Sequence, residues 1–208
     1  MREVITERDI PLSGELKYRS GAIITMAARD LAAARGVSLI EMAEGETAAA
    51  AGAQDTVALG ADHGGFELKE ALKAILEEFR LSITDVGVFD TKPADYPDIA
   101  ENVAKLVASG TAARGVVIDG AGIGSCMAAN KIPGVRAALC YDKASARNSR
   151  EHNDSNVLTL GSRLLTQTQA EDVLRIWLGT PFAGGRHSAR VQKISRIEQR
   201  YANWTPQN

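Results

Sequence analysis

Residues 115–124 read Gly-Val-Val-Ile-Asp-Gly-Ala-Gly-Ile-Gly, and this stretch decides the fold class of the chain. Its first four residues are apolar without interruption, whereas a strand with one face in water alternates apolar and polar residues. Such a strand is buried on both faces, as in a parallel sheet that helices cover. The glycines from Gly120 to Gly124 form a turn, and a helical pattern follows over 123–130. The stretch therefore predicts a buried strand that leads into a helix.

The same order of strand and helix recurs along most of the chain. Apolar strand patterns occupy residues 56–60, 82–88, 115–119, 135–140 and 157–160. Helical patterns follow them at residues 67–79, 99–108, 123–130, 143–150 and 169–178, and a last one covers 189–201. Five such units predict an α/β fold: a doubly wound, Rossmann-like sheet of five parallel strands with helices on both faces. Ligands of these sheets bind beyond the carboxyl ends of the strands.

The chain before residue 56 differs in composition. Residues 44–55 read EGETAAAAGAQD, without a large apolar side chain, which is typical of a flexible linker. We therefore expect an N-terminal extension at 1–43, an Ala/Gly-rich linker at 44–55 and a main domain at 56–208. One short amphipathic helix, ended by Gly36, is predicted in the extension from the helical spacing of Ile23, Ile24, Ala27, Leu31 and Ala34.

The sequence leaves several possible packing partners for this helix. A segment of this size rarely builds a core alone, so the helix is expected to pack on its own main domain, on a second subunit or on another protein. A terminal amphipathic helix on an Ala/Gly tether resembles the tails that target enzymes to bacterial microcompartments. The run Ala27-Ala-Arg-Asp-Leu-Ala32 also resembles small subunit-binding modules.

Composition excludes several classes of function. The 208 residues are 45% hydrophobic and 24% charged, and the formal net charge of -2 gives no electrostatic footprint for nucleic acid or an anionic membrane. No apolar run approaches the roughly 20 residues of a membrane-spanning helix, and the N-terminus lacks a secretory signal pattern, so a cytoplasmic location is expected. Cys126 and Cys140 lack the spacing of metal ligands, so neither a metal site nor a disulfide framework is expected.

All three histidines lie in short polar blocks: Asp62-His63-Gly-Gly, Arg150-Glu-His152-Asn153-Asp154 and Gly184-Gly-Arg186-His187. These blocks supply acids, bases and cations, while the loop 120–124 offers backbone N–H groups to an anion where a helix begins. The combination predicts an active site for a phosphorylated small molecule. The alternative is a tight turn whose glycines serve packing alone.

The glycine loop argues against a redox cofactor. Its Gly-x-Gly-x-Gly spacing departs from the dinucleotide fingerprint Gly-x-Gly-x-x-Gly. It also follows the third predicted strand, whereas that fingerprint follows the first. A nicotinamide or flavin cofactor is therefore disfavoured, and no cofactor is expected.

Five motifs, taken in order, resemble the type B ribose-5-phosphate isomerase family, which also contains the galactose-6-phosphate isomerase subunits. They are GADHGGFELK at 60–69, DYP at 95–97, GAGIG at 120–124 with AANK at 128–131, REHND at 150–154, and GGRH at 184–187 with Arg190. The resemblance covers residues 56–201. It implies aldose–ketose interconversion of a phosphorylated tetrose, pentose or hexose through an enediolate, without metal or cofactor. The alternative is a catalytically altered protein of the same fold that only binds a sugar phosphate.

The resemblance also implies roles for single residues. His152 is the ring-opening acid and base, since an imidazole exchanges protons near neutral pH, and the alternative is a surface histidine. Asp62 and Asn153 bind sugar hydroxyls and Tyr96 lines the pocket. The phosphate ligands are His63, Arg163, Arg186, His187 and Arg190, whose arginines could instead form a solvated face. The last helix reaches a neighbouring subunit's pocket, which implies a homodimer or a higher homo-oligomer.

The proton-abstracting base is where this sequence departs from its relatives. One branch of the family has a cysteine immediately before the glycine loop and another has a glutamate immediately after it, whereas this chain has Asp119 and Ser125. Burial makes a carboxylate a stronger base, so we assign proton abstraction to Asp119. Ser125 and the loop residues Gly120, Ala121, Gly122, Ile123 and Gly124 are expected to bind substrate and to form an oxyanion hole. The alternative is that Asp119 caps the loop's N–H groups or binds a sugar hydroxyl.

Overall fold

The computed structural model describes residues 4–6, 10, 15–19, 22–42 and 56–202. The chain divides into two compact units, Met1–Gly52 and Ala53–Asn208. The predicted linker at 44–55 lies outside the described residues, so its character stays a prediction.

The N-terminal unit contains strands as well as the predicted helix. Strands β1 (Val4–Ile5), β2 (Glu15–Arg19), β3 (Ile23–Ile24) and β4 (Ser38–Met42) accompany helix α1 (Met26–Arg35). β1 pairs with β3 and β2 pairs with β4, both in parallel. The side chain of Thr25 accepts a hydrogen bond from the amide of Ala28 and so begins α1. Gly36 ends α1 in the left-handed region at a φ of 65°, as predicted.

The predicted apolar face of this helix was wrong except at Leu31, which packs on the unit's core. Ile23 and Ile24 belong to β3, because the backbone of this segment pairs with β1. The residues of α1 that are buried are Ala28 and Ala32, while Ala27 and Ala34 are exposed. The two buried alanines pack with Ile5, Ile10 and Val37 in a small core of the unit's own.

The second unit is the doubly wound sheet that the sequence predicts. Its strands are β5 (Thr56–Ala61), β6 (Ser82–Asp85), β7 (Arg114–Asp119), β8 (Ala137–Leu139) and β9 (Val157–Gly161). Its helices are α2 (Phe66–Glu78), α3 (Tyr96–Ala108), α4 (Ile123–Ala129), α5 (Lys143–Glu151), α6 (Gln167–Gly179) and α7 (Arg186–Tyr201). The strand order is β6-β5-β7-β9-β8, and every neighbouring pair is parallel. The predicted fold class is confirmed.

Helices cover both faces of this sheet because each central strand is apolar on both sides. In β7, Val116 and Ile118 face a core that includes Leu72 of α2 and Trp177 of α6. Val117 faces the opposite core, which α3 and α4 supply. Alternate residues of one strand thus serve two cores, which explains its uninterrupted apolar sequence.

The last helix differs from its predicted bounds in a way that concerns the polar blocks. The spacing predicts a start at Ala189, whereas α7 begins at Arg186, directly after Gly185. His187 therefore lies in the first helical turn. Among the described residues, no helix has both the length and the apolar character needed to cross a membrane.

Candidate active site

The polar blocks meet at the carboxyl edge of the five-stranded sheet. Asp62 directly follows β5, and its amide donates to the carbonyl of Ile118 at 3.1 Å. Asp119, the last residue of β7, pairs with Gly161, the last residue of β9. The ends of three strands therefore place their polar residues side by side, as this fold class requires.

The side chain of Asp119 is turned into the glycine loop. Its Oδ1 accepts hydrogen bonds from the amides of Ala121, at 2.7 Å, and Gly122. Its Oδ2 accepts from the amide of Ser125 at 3.0 Å and from the hydroxyl of Ser125 at 2.5 Å. Asp119 is only 4% exposed and Ser125 is fully buried. The carboxylate thus lies inside the loop that the sequence predicts around an anion.

This geometry bears on both roles that the sequence left open for Asp119. A carboxylate has about four acceptor positions, and the loop supplies four donors to this one. A substrate proton would have to replace one of these bonds. The arrangement favours the capping role. Because the amides of Ala121, Gly122 and Ser125 point at Asp119, the predicted oxyanion hole rests on the amides of Gly120, Ile123 and Gly124.

Asp62 organises the neighbouring turn in the same manner. Its Oδ1 accepts from the amides of Gly64 and Gly65, both at 2.9 Å, and the residue is 8% exposed. The hydroxyl of Ser162, just after β9, donates to the carbonyl of Gly64 at 2.8 Å, and the amide of Ser162 donates to the carbonyl of Asp119 at 2.8 Å. Ser162 therefore ties the two turns together. It was not predicted from the sequence, although its position after the fifth predicted strand was the available signal.

Three predicted ligands lie around these turns. A Cβ placed on Gly124 would come within 2.4 Å of the ring of Tyr96, so this ring packs directly on the loop. The side chain of Arg163 approaches Gly120, where a Cβ would lie 3.6 Å from its Cδ and Nε. His63 is exposed, and its Nδ1 accepts from the amide of Ala94 at 3.3 Å.

The other two histidines form a stacked pair. The rings of His152, at the end of α5, and His187, at the start of α7, are 4.3 Å apart and inclined by 7°. Nδ2 of Asn148 lies 2.9 Å from Nδ1 of His152. Desolvation lowers the pKa of His187 below its usual 6.5, and the positive charges of His152, Arg186 and Arg190 lower it further. Asn148 was not predicted from the sequence, although it lies one helical turn before His152.

The remaining ligands predicted from the sequence lie near this pair. Asn153 is exposed, and its amide donates to the carbonyl of Asn148 at 3.2 Å. Arg186 and Arg190 are exposed on α7, and Nε of Arg186 is 3.4 Å from Nε2 of His187. The predicted phosphate ligands therefore form two groups. His63 and Arg163 lie by the turns after β5 and β9, whereas the others lie on α7.

A cleft of about 500 Å³ lies along helix α5 and includes Asn153 of the block 150–154. It is lined by Leu139, Tyr141, Asp142, Ala144, Ser145, Asn148, Ser149 and Asn153. Leu139 also contacts the loop, since a Cβ on Gly122 would lie 2.5 Å from its Cδ1. The hydroxyl and amide groups of Tyr141, Ser145, Asn148, Ser149 and Asn153 lie beside apolar surface in this cleft, which suits a sugar. Among residues 56–202 and the described parts of the N-terminal unit, no group of three or more His, Cys, Asp or Glu could hold a metal ion.

A doubly wound sheet with a candidate site at its carboxyl edge defines the class of this protein, and comparison with known proteins defines the family. The model of the Ribose/Galactose Isomerase family matches residues 57–194. Ribose-5-phosphate isomerase B of Escherichia coli is 44% identical over 144 residues, which span 69% of this chain and 97% of that protein. D-erythrulose-4-phosphate isomerase of Pectobacterium atrosepticum is 35% identical over 144 residues, spanning 69% and 95%.

Solved structures agree with the sequence comparison. Ribose-5-phosphate isomerase B of Clostridium thermocellum superimposes with a TM-score of 0.69 at 44% identity, over 70% of this chain and 99% of that one. The chain belongs to the Ribose/Galactose Isomerase family. The resemblance seen in the five motifs is confirmed.

Proposed function

We propose that this protein interconverts an aldose phosphate and a ketose phosphate through an enediolate. The observation that carries the proposal is the imidazole of His152, whose hydrogen-bond partner Asn148 lines a cleft together with Leu139, which contacts the glycine loop. The named activities of its relatives, on ribose 5-phosphate and D-erythrulose 4-phosphate, support the same chemistry. Ala121 stands where relatives usually carry a serine or threonine hydroxyl, so chain length of the sugar is the property to measure first.

In the proposed reaction His152 opens the sugar ring, and Asp119, once it releases one hydrogen bond of the loop, takes the proton from carbon and returns it to the neighbouring carbon. An amide nitrogen only donates, so Nδ2 of Asn148 leaves the proton of neutral His152 on Nε2, from which it can pass to the ring oxygen. Asp62 and Asn153 bind hydroxyls and Tyr96 covers the loop. His63, Arg163, Arg186, His187 and Arg190 bind the phosphate, to which the planar guanidinium groups are well suited.

The reaction is tested with a panel of ribose 5-phosphate, D-erythrulose 4-phosphate and galactose 6-phosphate in D2O. We expect at least one sugar to give the isomeric product and to exchange a carbon-bound proton for deuterium. H152Q, which keeps a polar side chain without the acid–base chemistry, should lower kcat by about 10²- to 10⁴-fold. Isomerisation without any proton exchange, or full activity of H152Q, would contradict the mechanism.

A second candidate function is sugar-phosphate binding without catalysis. The four donors on Asp119 favour it, because they occupy the acceptor positions that proton abstraction needs. D119N separates the roles of this residue. As the base, Asp119 is essential for exchange, and D119N abolishes it. If Asp119 only holds the loop, D119N weakens binding and lowers thermal stability, while proton exchange continues. Binding of every sugar without product or exchange would establish the second candidate.

We also propose that the protein works as a homodimer or a higher homo-oligomer. Helix α7 exposes Ile194, Ile197 and Tyr201, which recur at helical spacing. The family resemblance implies that a second copy of the chain covers this apolar surface of α7. Light scattering is expected to give at least twice the monomer mass, and the variant I194E/I197E is expected to be monomeric. A monomeric wild type would refute this.

The N-terminal unit is proposed to act as an interaction module that sets location, with a microcompartment shell, a twin subunit or another cytoplasmic protein as its partner. The relatives match the second unit over nearly their whole length, so that unit contains the site. Deleting residues 1–52 is expected to leave kcat/KM within about twofold and to change assembly or location. Loss of catalysis on deletion would tie these residues to the site instead.

A further inference from the structure

Lys69 is a fully buried cation that the proposed reaction does not use. Its side chain on α2 has no exposed surface. Its Nζ donates to both carboxylate oxygens of Asp85, at 2.9 and 2.7 Å, and to the carbonyl of Val88 at 3.0 Å. The ammonium also lies 4.9 Å from the centre of the Phe89 ring. These contacts all connect Lys69 with the segment at the end of β6.

Stability alone is a weak reason for such a group. Removing two charges from water costs free energy that their attraction often fails to recover, and apolar replacements of buried ion pairs are frequently as stable. Burial would raise the pKa of Asp85, but hydrogen bonds from Lys69 and Lys73 hold it below its ordinary value. The lowered pKa favours the ionised form of Asp85, and the geometry of its contacts with Lys69 points to a positional role.

The segment that Lys69 holds lies against the turn after β5. The amide of Val86 donates to the carbonyl of Leu59 at 2.8 Å, and that of Val88 to the carbonyl of Ala61 at 3.0 Å. The backbone amide of Lys69 in turn donates to Gly65 at 2.8 Å, the residue that ends the Asp62 turn. One residue therefore connects the turn 62–65 through its backbone with the segment 85–89 through its side chain.

The chain beyond residue 89 reaches the candidate site. Ala94 donates to Nδ1 of His63 at 3.3 Å, and Tyr96 packs on the glycine loop at Gly124. We propose that Lys69 is a positioning residue that fixes residues 85–96 and thereby orients His63 and Tyr96 for binding the sugar phosphate. The inference rests on the proposed function for its effect on kinetics, but its structural part can be measured without substrate.

The test compares K69M with K73M. Methionine keeps the length of the side chain and removes the charge, while Lys73, 2.8 Å from Asp85, still pairs with that carboxylate. K73M removes the other cation of Asp85, and Lys73 is 29% exposed. We expect K69M to raise KM about tenfold with kcat within about threefold, because the groups that it displaces bind substrate. K73M should change neither constant by more than about twofold.

Proton NMR of the His63 ring supplies a readout that is independent of turnover. K69M is expected to shift the His63 signals and K73M to leave them unchanged. If K69M does not fold, F89A replaces it, because the 71% exposed ring can be removed without emptying the core. F89A should give the same changes, smaller in size. Wild-type KM and unshifted His63 signals in the folded variant, or equal changes in K73M, would overturn the inference. If the wild type isomerises no sugar, the proposed function fails, but the His63 signals still test whether Lys69 positions residues 85–96.

Discussion

Two sides of the candidate site are held together by different forces. On the glycine-loop side, residues 62–65 and 119–125, two carboxylates accept hydrogen bonds from five backbone amides. On the imidazole side, residues 148–153 and 186–187, a ring stack and hydrogen bonds with the side chains of Asn148 and Arg186 hold the histidines. The first side is built by the chain's own backbone, whereas the second depends on where two helix ends meet.

This difference predicts different vulnerabilities. Backbone amides do not titrate, and a Cβ added at Gly122 would meet other backbone atoms, so the glycine-loop side is expected to respond first to steric change. Imidazoles gain charge just below neutral pH, and two stacked rings cannot both do so without repulsion. The imidazole side is therefore the one expected to respond to acid.

The largest effect is expected from G122A on the glycine-loop side. Gly122 has a φ of 76°, and a Cβ there would lie 2.9 Å from the carbonyl carbon of Leu160 and 3.1 Å from the amide nitrogen of Gly161. Neither backbone atom can move away cheaply. Strain and overpacking together should lower the free energy of unfolding by about 3 kcal/mol in urea denaturation.

G134A is the matched control for this substitution. Gly134 also has a positive φ, of 83°, but a Cβ there meets nothing within 4 Å. Conformational strain alone should then cost about 1 kcal/mol. Equal losses of unfolding free energy in the two variants would show that the loop is not packed as tightly as these contacts indicate. The glycine-loop side would then not be especially sensitive to steric change.

An intermediate effect is expected from acid on the imidazole side. Desolvation holds the pKa of folded His187 below 6.5, so below that pH the unfolded chain binds more protons. Stability should therefore fall as the pH drops from about 7 towards 5. H187F keeps a flat ring that does not titrate, and its urea midpoint should fall less between pH 7.5 and 5.5 than that of the wild type.

H63Q is the control for the acid effect. His63 is exposed and does not belong to the ring stack, so we expect H63Q to change the pH dependence of the urea midpoint less than H187F does. If H187F showed the full wild-type loss, the acid response would have to come from other groups, and the imidazole side would be as insensitive to pH as the glycine-loop side.

The contrast also separates what the sequence could predict from what it could not. The apolar run before Asp119 predicts a strand buried on both faces, because an apolar residue type at each position indicates that this position is buried. The direction of the Asp119 carboxylate is different, since it depends on φ at Gly122 and on the fold of a helical turn. Its residue type alone fitted a base and a cap equally well.

Contacts between distant segments could not be predicted from the sequence either. The His152 and His187 rings meet because α7 begins at Arg186, and the spacing predicted a later start. In the N-terminal unit, Ile23 and Ile24 fitted a helical pattern until their pairing with β1 was known. A strand of two residues is too short to show an alternating pattern, so its residues are easily assigned to the helical pattern beside it.

The smallest effect concerns the two thiols, one of which follows the glycine loop at Cys126 while the other contacts helix α5 from Cys140. Cys126 is half-buried on α4, whereas Cys140 is 1% exposed and its Sγ lies 3.7 Å from Ser149 of α5. Burial raises the pKa of Cys140 to about 11, so at pH 8 only about one molecule in a thousand carries its thiolate. A disulfide reagent at pH 8 should therefore label C140S as fast as the wild type and C126S far more slowly. Equal labelling of both thiols would mean that α5 opens readily even at neutral pH. The low stability of the imidazole side would then come from its helix rather than from the protonation of its histidines.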